Sequence, residues 1–153
     1  KISDDLKAIA AEESSIRALP RGTVHADLFP DNAFFLGDRF TGAIDFYFAC
    51  TDALAYDLAD CINAWAFEPD GVFYYSKAAY LIAGYQSVRP LTDAENSAFR
   101  VLCRGAAIRF FLTRLIDWTD TPADALVKPK DPLDYAARLR FHRTARAFSD
   151  YGG

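Results

Sequence analysis

Between Val24 and Phe46 the sequence narrows to a pattern that few folds accommodate: Val24-His25-Ala26-Asp27-Leu28-Phe29-Pro30-Asp31-Asn32, followed downstream by Ile44-Asp45-Phe46. An Asp able to accept a hydroxyl proton, an amide oxygen five residues later and a second carboxylate closing a β-prone segment are the parts that phosphoryl transfer from Mg-ATP requires. A transferring phosphoryl group leaves the protein little covalent chemistry to perform. What matters is alignment of the attacking hydroxyl and a Mg²⁺ held against the phosphate charge. His-x-Asp-x4-Asn alone arises by chance in about one chain in a hundred of this length, so the downstream Ile-Asp-Phe is what sharpens it. The competing reading makes His25 a satisfied core histidine, Asp31 and Asp38 turn residues and Asp45 a strand-end charge. Apolar neighbours on both sides of the motif favour polar groups held on rigid, buried backbone.

Composition sets the frame. A chain of 153 residues with 52% hydrophobic and 15% aromatic content is enough for one packed domain. A net charge of −4 offers no footprint for nucleic acid. No apolar run reaches the length of a membrane span and no signal peptide opens the chain, so no membrane partner and a cytoplasmic location are expected. Three cysteines, Cys50, Cys61 and Cys103, are odd in number and read as reduced core thiols. The chain lacks Met and begins at what reads as a helix start, as a piece of a longer protein does.

In chain order, Ser3-Asp4-Asp5 predicts a helix over 4–18 with Leu6, Ile9, Ile16 and Leu19 as its stripe, stopped by Pro20 and Gly22. Thr23-Val24-His25 is a short β-prone lead. Residues 33–36, the Gly37-Asp38-Arg39 turn and residues 40–46 predict a hairpin that brings Asn32 and Asp45 to one end, where a single metal ion can bridge them. Thr51-Asp52 reads as a cap for a helix carrying Leu54, Leu58, Cys61, Ile62 and Trp65, and of its two acids, Asp57 and Asp60, Asp57 is expected to be the buried one. A helix follows over 72–86. The Thr92-x-x-Glu95 box opens a long helix with Phe99, Leu102, Cys103, Ala106 and Phe110 on one face. Of its Arg100, Arg104, Arg109 and Arg114, most are expected in solvent and one or two in the site. Residues 119–130 read as a loop, and Asp131-Pro132 as the cap of a last helix.

These residues resemble a known family. His25 to Asn32 with Ile44-Asp45-Phe46 is similar to the aminoglycoside phosphotransferase and choline kinase superfamily, whose fold is like that of protein kinases. More narrowly, Leu19-Pro20-Arg21-Gly22, Asp45 to Cys50, Tyr56-Asp57-Leu58-Ala59 and the segment from Lys130-Asp131-Pro132 to Phe141-His142-Arg143 resemble the bacterial homoserine kinases of that superfamily. The resemblance implies Asp27 as catalytic base with His25 beside it in the catalytic loop, Asn32 and Asp45 as Mg²⁺ ligands and Asp57 as the acid that braces the loop. Ala26 stands where protein kinases carry an Arg, which implies no phospho-switch, and Tyr47 replaces the Gly of Asp-Phe-Gly. No Gly-rich phosphate loop or strand Lys occurs, so residues 1–153 are expected to form the C-terminal lobe alone, with its own N-terminal lobe as a partner.

The expectation is therefore a mainly α fold with a small catalytic β-hairpin (α+β), the C-terminal lobe of a protein-kinase-like fold. With ATP and Mg²⁺ it would phosphorylate a small-molecule alcohol, homoserine first, and be inactive as this piece alone. Arg109, Arg114 and Tyr47 are the candidate substrate-binding residues, the arginines because an amino-acid carboxylate needs a planar cation. A choline or aminoglycoside kinase is the alternative, with Tyr47, Trp65 and Phe48 available for an aromatic cage. A non-catalytic nucleotide- or partner-binding relic is opposed by the intact Asp27, Asn32 and Asp45, and a zinc hydrolase by the presence of only two histidines.

Overall fold

The computed structural model describes residues 2–122 and 124–153; Lys1 and Ala123, which belong to the expected 1–153 lobe and the second also to the 119–130 loop, lie outside the described residues. The elements run α1 (Ile2–Ala11), α2 (Glu13–Arg17), β1 (Arg21–Val24), β2 (Ala33–Leu36), β3 (Arg39–Ala43), β4 (Cys50–Ala53), α3 (Ala55–Trp65), α4 (Tyr75–Val88), α5 (Asp93–Asp120) and α6 (Leu133–Thr144). Helices dominate, and the strands form two antiparallel pairs, β1 with β4 and β2 with β3. The β2–β3 hairpin turns at Gly37, whose φ of 58° falls where a Cβ is penalised.

Several expectations are corrected. The single helix over 4–18 is two, because Glu12 N–H reaches Ile9 O at 3.1 Å in a tightened turn. That break lets Ile9 and Ile16 both reach the core and leaves Leu6 half exposed. Thr51-Asp52 is no helix cap: both residues lie in β4, paired with Thr23 and Gly22 of β1. The helix after it starts without a side-chain cap, and Leu54 N–H donates instead to Pro20 O. Cys50 is exposed on that strand, so only Cys61 and Cys103 are inward thiols; all three are free.

The long helix behaves as its capping box dictates. Thr92 Oγ1 accepts from Glu95 N–H at 3.2 Å, and the Glu95 carboxylate accepts from Thr92 N–H at 2.9 Å. Phe99, Leu102, Cys103, Ala106 and Phe110 are all buried, and α5 packs on α3 through Leu58 and Ile62. Burial of each of the Phe, Leu and Ile side chains among them contributes about 1.5–3 kcal/mol. Polar ties fix the packing. Asn63 of α3 donates to Ala59 O and Cys103 O, so its Oδ1 accepts from His142 Nε2–H at 2.9 Å. His142 Nδ1 then accepts from the Tyr151 hydroxyl at 3.0 Å. Burial, ahead of Arg138 and Arg104, pulls the His142 pKa down to about 3, so this imidazole is neutral. Asp5, fully buried on α1, takes both Arg104 of α5 and Arg143 of α6. Among the described residues no helix is long and apolar enough to cross a membrane.

Candidate active site

The β1–β4 pair delivers the central loop: Val24 lies opposite Cys50, and the chain leaves β1 directly into His25. Asp57, in the first turn of α3, takes two backbone donors on one carboxylate, His25 N–H at 2.8 Å and Ala26 N–H at 2.8 Å. Such pairing holds Ala26 at φ 61°, a left-handed conformation that a non-glycine residue adopts at some strain. The carboxylate of Asp27 emerges from that bend.

His25 joins the loop to the hairpin. Asp27 N–H donates to its Nδ1 at 3.3 Å, so the ring proton is on Nε2 and is donated to Ile44 O at 2.9 Å. Ile44 N–H in turn donates to Asn32 O at 3.0 Å. Asp45 follows at φ 62°, and Phe46 packs on the His25 ring with centroids 4.5 Å apart. Asn32 Nδ2 donates to Asp27 O at 2.8 Å and lies 3.5 Å from Asp27 Oδ2. The structure therefore brings His25, Asp27, Asn32 and Asp45 to one place. Asp45 is exposed, and its charge is among those that raise the Asp27 pKa.

Burial is the first cause of that raised Asp27 pKa; Arg109 opposes it, Asp45 adds to it, and His25 and Lys130 pull it down. Arg109 of α5 is the nearest cation. Its Nη2 donates to Ala26 O and lies 3.7 Å from Asp27 Oδ1 and 3.8 Å from Asp60 Oδ1, while its guanidinium sits 4.1 Å from the Phe110 ring centroid. Asp60, not Asp57, is the fully buried acid of α3, which corrects the expectation; Asp57 stays partly exposed because it serves loop amides at the helix end. Neither Asp60 oxygen has a hydrogen-bond partner among the described residues. Its pKa is pushed up to about 7 by burial, against Arg109 and a weak pull from the Leu28 amide, and with Asp27 and Asp57 adding to the rise.

Beside Asp27 opens a cavity of about 340 Å³, walled by Phe29, Phe48 and Phe110, by Arg109, Thr113, Arg114 and Asp117 of α5, and by Lys130. Most of the α5 arginines are expected in solvent, but only Arg100 is exposed: Arg104 is buried on Asp5, while the candidate substrate-binding Arg109 and Arg114 turn toward the cavity. Arg114 donates to Asp134 Oδ2 at 3.0 Å and Asp131 O at 3.2 Å and lies 4.6 Å from the Tyr135 ring. Lys130 meets Asp31 at 3.0 Å in solvent. Tyr47 does not line this cavity: it is 86% exposed, with an edge-to-face contact to Phe48. Trp65 is also elsewhere, donating its indole N–H to Leu28 O at 2.7 Å and packing on Phe35. The sequence alone assigns no site role to Asp60, Asp117 or Lys130. For Asp117 the available signal was spacing: Arg109, Thr113, Arg114 and Asp117 recur along one helical face.

An aspartate leaving a strained bend, with an amide and a second carboxylate brought to a hairpin end, is an arrangement suited to phosphoryl transfer. Residues 2–91 match the model of the phosphotransferase enzyme family, and the chain belongs to that family. Among curated relatives it is 66% identical over 141 residues to a homoserine kinase of Hyphomonas neptunium, covering 88% of this chain and 43% of the relative. It is 64% identical over 136 residues to one of Methylobacterium radiotolerans, covering 89% and 42%. A third, of Xanthobacter autotrophicus, is 57% identical over 150 residues, covering 95% and 47%. The chain thus spans less than half the length of these relatives.

Proposed function

We propose that this chain is the C-terminal catalytic lobe of a cytoplasmic enzyme that transfers the γ-phosphate of ATP to the hydroxyl of homoserine. The observation that carries the acceptor is the cavity beside Asp27, whose wall holds Arg114 and Lys130 for a carboxylate and Asp117 for an ammonium. A zwitterionic amino alcohol needs both signs of charge. A quaternary ammonium is disfavoured there, because three cations share the wall and the Phe110 face is already covered by the Arg109 guanidinium. The names of the relatives point to the same acceptor.

In this reading Asp27 orients the acceptor hydroxyl and takes its proton as the oxygen bonds the γ-phosphorus and the bond to the ADP oxygen breaks. Burial, which raises the Asp27 pKa, also makes it a better proton acceptor than a solvated carboxylate. Asp57 and His25 keep that side chain where the bend puts it. The donor set fits Mg²⁺: Asn32 spends its N–H on Asp27 O and so offers its amide oxygen, Asp45 offers a carboxylate, and both are hard oxygen ligands. No group of three or more His, Cys, Asp or Glu suited to a metal occurs among the described residues. When bound, Mg²⁺ neutralises charge on the transferring phosphate. An N-terminal lobe ahead of these residues would clamp the nucleotide; the half-exposed Phe34, Phe35, Phe40 and Phe46 around the hairpin support a covering partner there.

Steady-state ADP release by the full-length protein decides the acceptor. Homoserine is expected to give a kcat/KM at least about 100-fold above choline and kanamycin, a margin that a site built around two charged groups can supply. Equal or greater kcat/KM for choline or kanamycin contradicts the assignment.

A further inference from the structure

Asp60 stands outside the chemistry just described, yet it is the only other carboxylate that Arg109 approaches among the described residues. Its position is unusual in three ways. It is fully buried, its oxygens have no well-formed hydrogen bond among the described residues and only a weak pull from the Leu28 amide, and its one cation is held at 3.8 Å, beyond hydrogen-bonding reach. A buried ion left this poorly compensated destabilises a fold, so stability does not explain it. The same Arg109 Nη2 stands 3.7 Å from Asp27, equally short of a hydrogen bond. Neither carboxylate fixes that midway position: Arg109 Nε has no partner among the described residues, Nη2 is anchored on Ala26 O, and the guanidinium sits over the Phe110 ring with Phe48 and Tyr56 farther off.

Resting on the reading of Asp27 as the base, we infer that Asp60 is a positioning residue: it holds the Arg109 guanidinium back from Asp27, so that Asp27 keeps its oxygens open to the acceptor hydroxyl. A carboxylate locked in a charge-assisted hydrogen bond with Arg has lone pairs committed and is a weaker proton acceptor. Two carboxylates at 3.7 and 3.8 Å share the cation and neither captures it. Removing the Asp60 charge unbalances the pair, and Arg109 closes on Asp27. Arg109 is then a hindrance in the variant although it is a neighbour of the base in the native protein.

The test uses the full-length protein at pH 8 with whichever alcohol the unsubstituted protein phosphorylates, so loss of the homoserine assignment reads separately from loss of this inference. Asp60→Asn is expected to raise Tm, because an unpaired buried charge is gone, and to lower kcat by about tenfold or more, with KM for ATP and for the acceptor unchanged. Adding Arg109→Gln to Asp60→Asn is expected to recover kcat above that of Asp60→Asn alone, a sign of coupling that independent losses do not give. A fall of Tm and kcat together with no recovery would show that Asp60 only supports the fold. An unchanged kcat, or a loss confined to acceptor KM, overturns the inference equally.

Discussion

A carboxylate stripped of water and given little in exchange resists ionisation, and in this molecule Asp60 carries that property most openly. Its pKa stands near 7 in the folded chain against an ordinary 3.8, so between about pH 4 and pH 7 the folded state holds a proton that the unfolded state has lost. The stabilisation that this proton provides is present at pH 4 and disappears as pH rises through 7. His142 works with the opposite sign: its folded pKa near 3 lies below 6.5, so its contribution is present above 6.5 and lost as pH falls toward 3. The bare pH profile mixes the two. The difference between the native protein and Asp60→Asn isolates one. In urea melts the variant is expected to match the native protein near pH 4 and to exceed it increasingly toward pH 8, by on the order of 4 kcal/mol at most. A constant difference across that range would mean that Asp60 titrates normally.

At the level of elements, α5 organises the site, since Arg109, Thr113, Arg114 and Asp117 all reach the cavity from its second half. Its start was legible in the sequence, because Thr92 and Glu95 satisfy each other's backbone amides within four residues. Thr92→Ala is expected to lower stability by about 1 kcal/mol in thermal melts and to leave both KM values alone, because the cap lies several turns from Arg109. The hairpin was legible for a similar reason: Gly37 and two β-prone runs are a local signal. Strand β4 was not, because Cys50-Thr51-Asp52-Ala53 has no alternating pattern and exists as a strand only through pairing with β1 about thirty residues earlier. A longer separation, 99 and 138 residues, hides Asp5 with Arg104 and Arg143, where charged residues that look solvated on their own helices meet around a buried carboxylate. For Asp57 against Asp60, local spacing favoured neither; which acid meets loop amides and which meets the α5 surface is settled by how α3 packs.

Across the whole molecule, the proposed catalytic loop, the hairpin end and the proposed acceptor cavity lie side by side, while apolar side chains around the hairpin stay open to solvent. Half a clamp positions a phosphate poorly, and positioning supplies ~7–11 kcal/mol of a barrier of this kind. The proposed division of labour is therefore a lobe that holds the acceptor and the base, completed by one that holds the nucleotide. Phosphorus NMR of ATP and homoserine with the full-length protein, its Asp27→Asn variant and residues 1–153 alone tests this most directly. The native full-length protein is expected to build up a phosphomonoester signal as the ATP γ resonance decays. Asp27→Asn is expected to form it ~10²- to 10⁴-fold more slowly, and the isolated chain to form none above background. A phosphomonoester appearing at the native rate with Asp27→Asn, or no phosphorylated homoserine from the full-length protein, would contradict the assignment of this site.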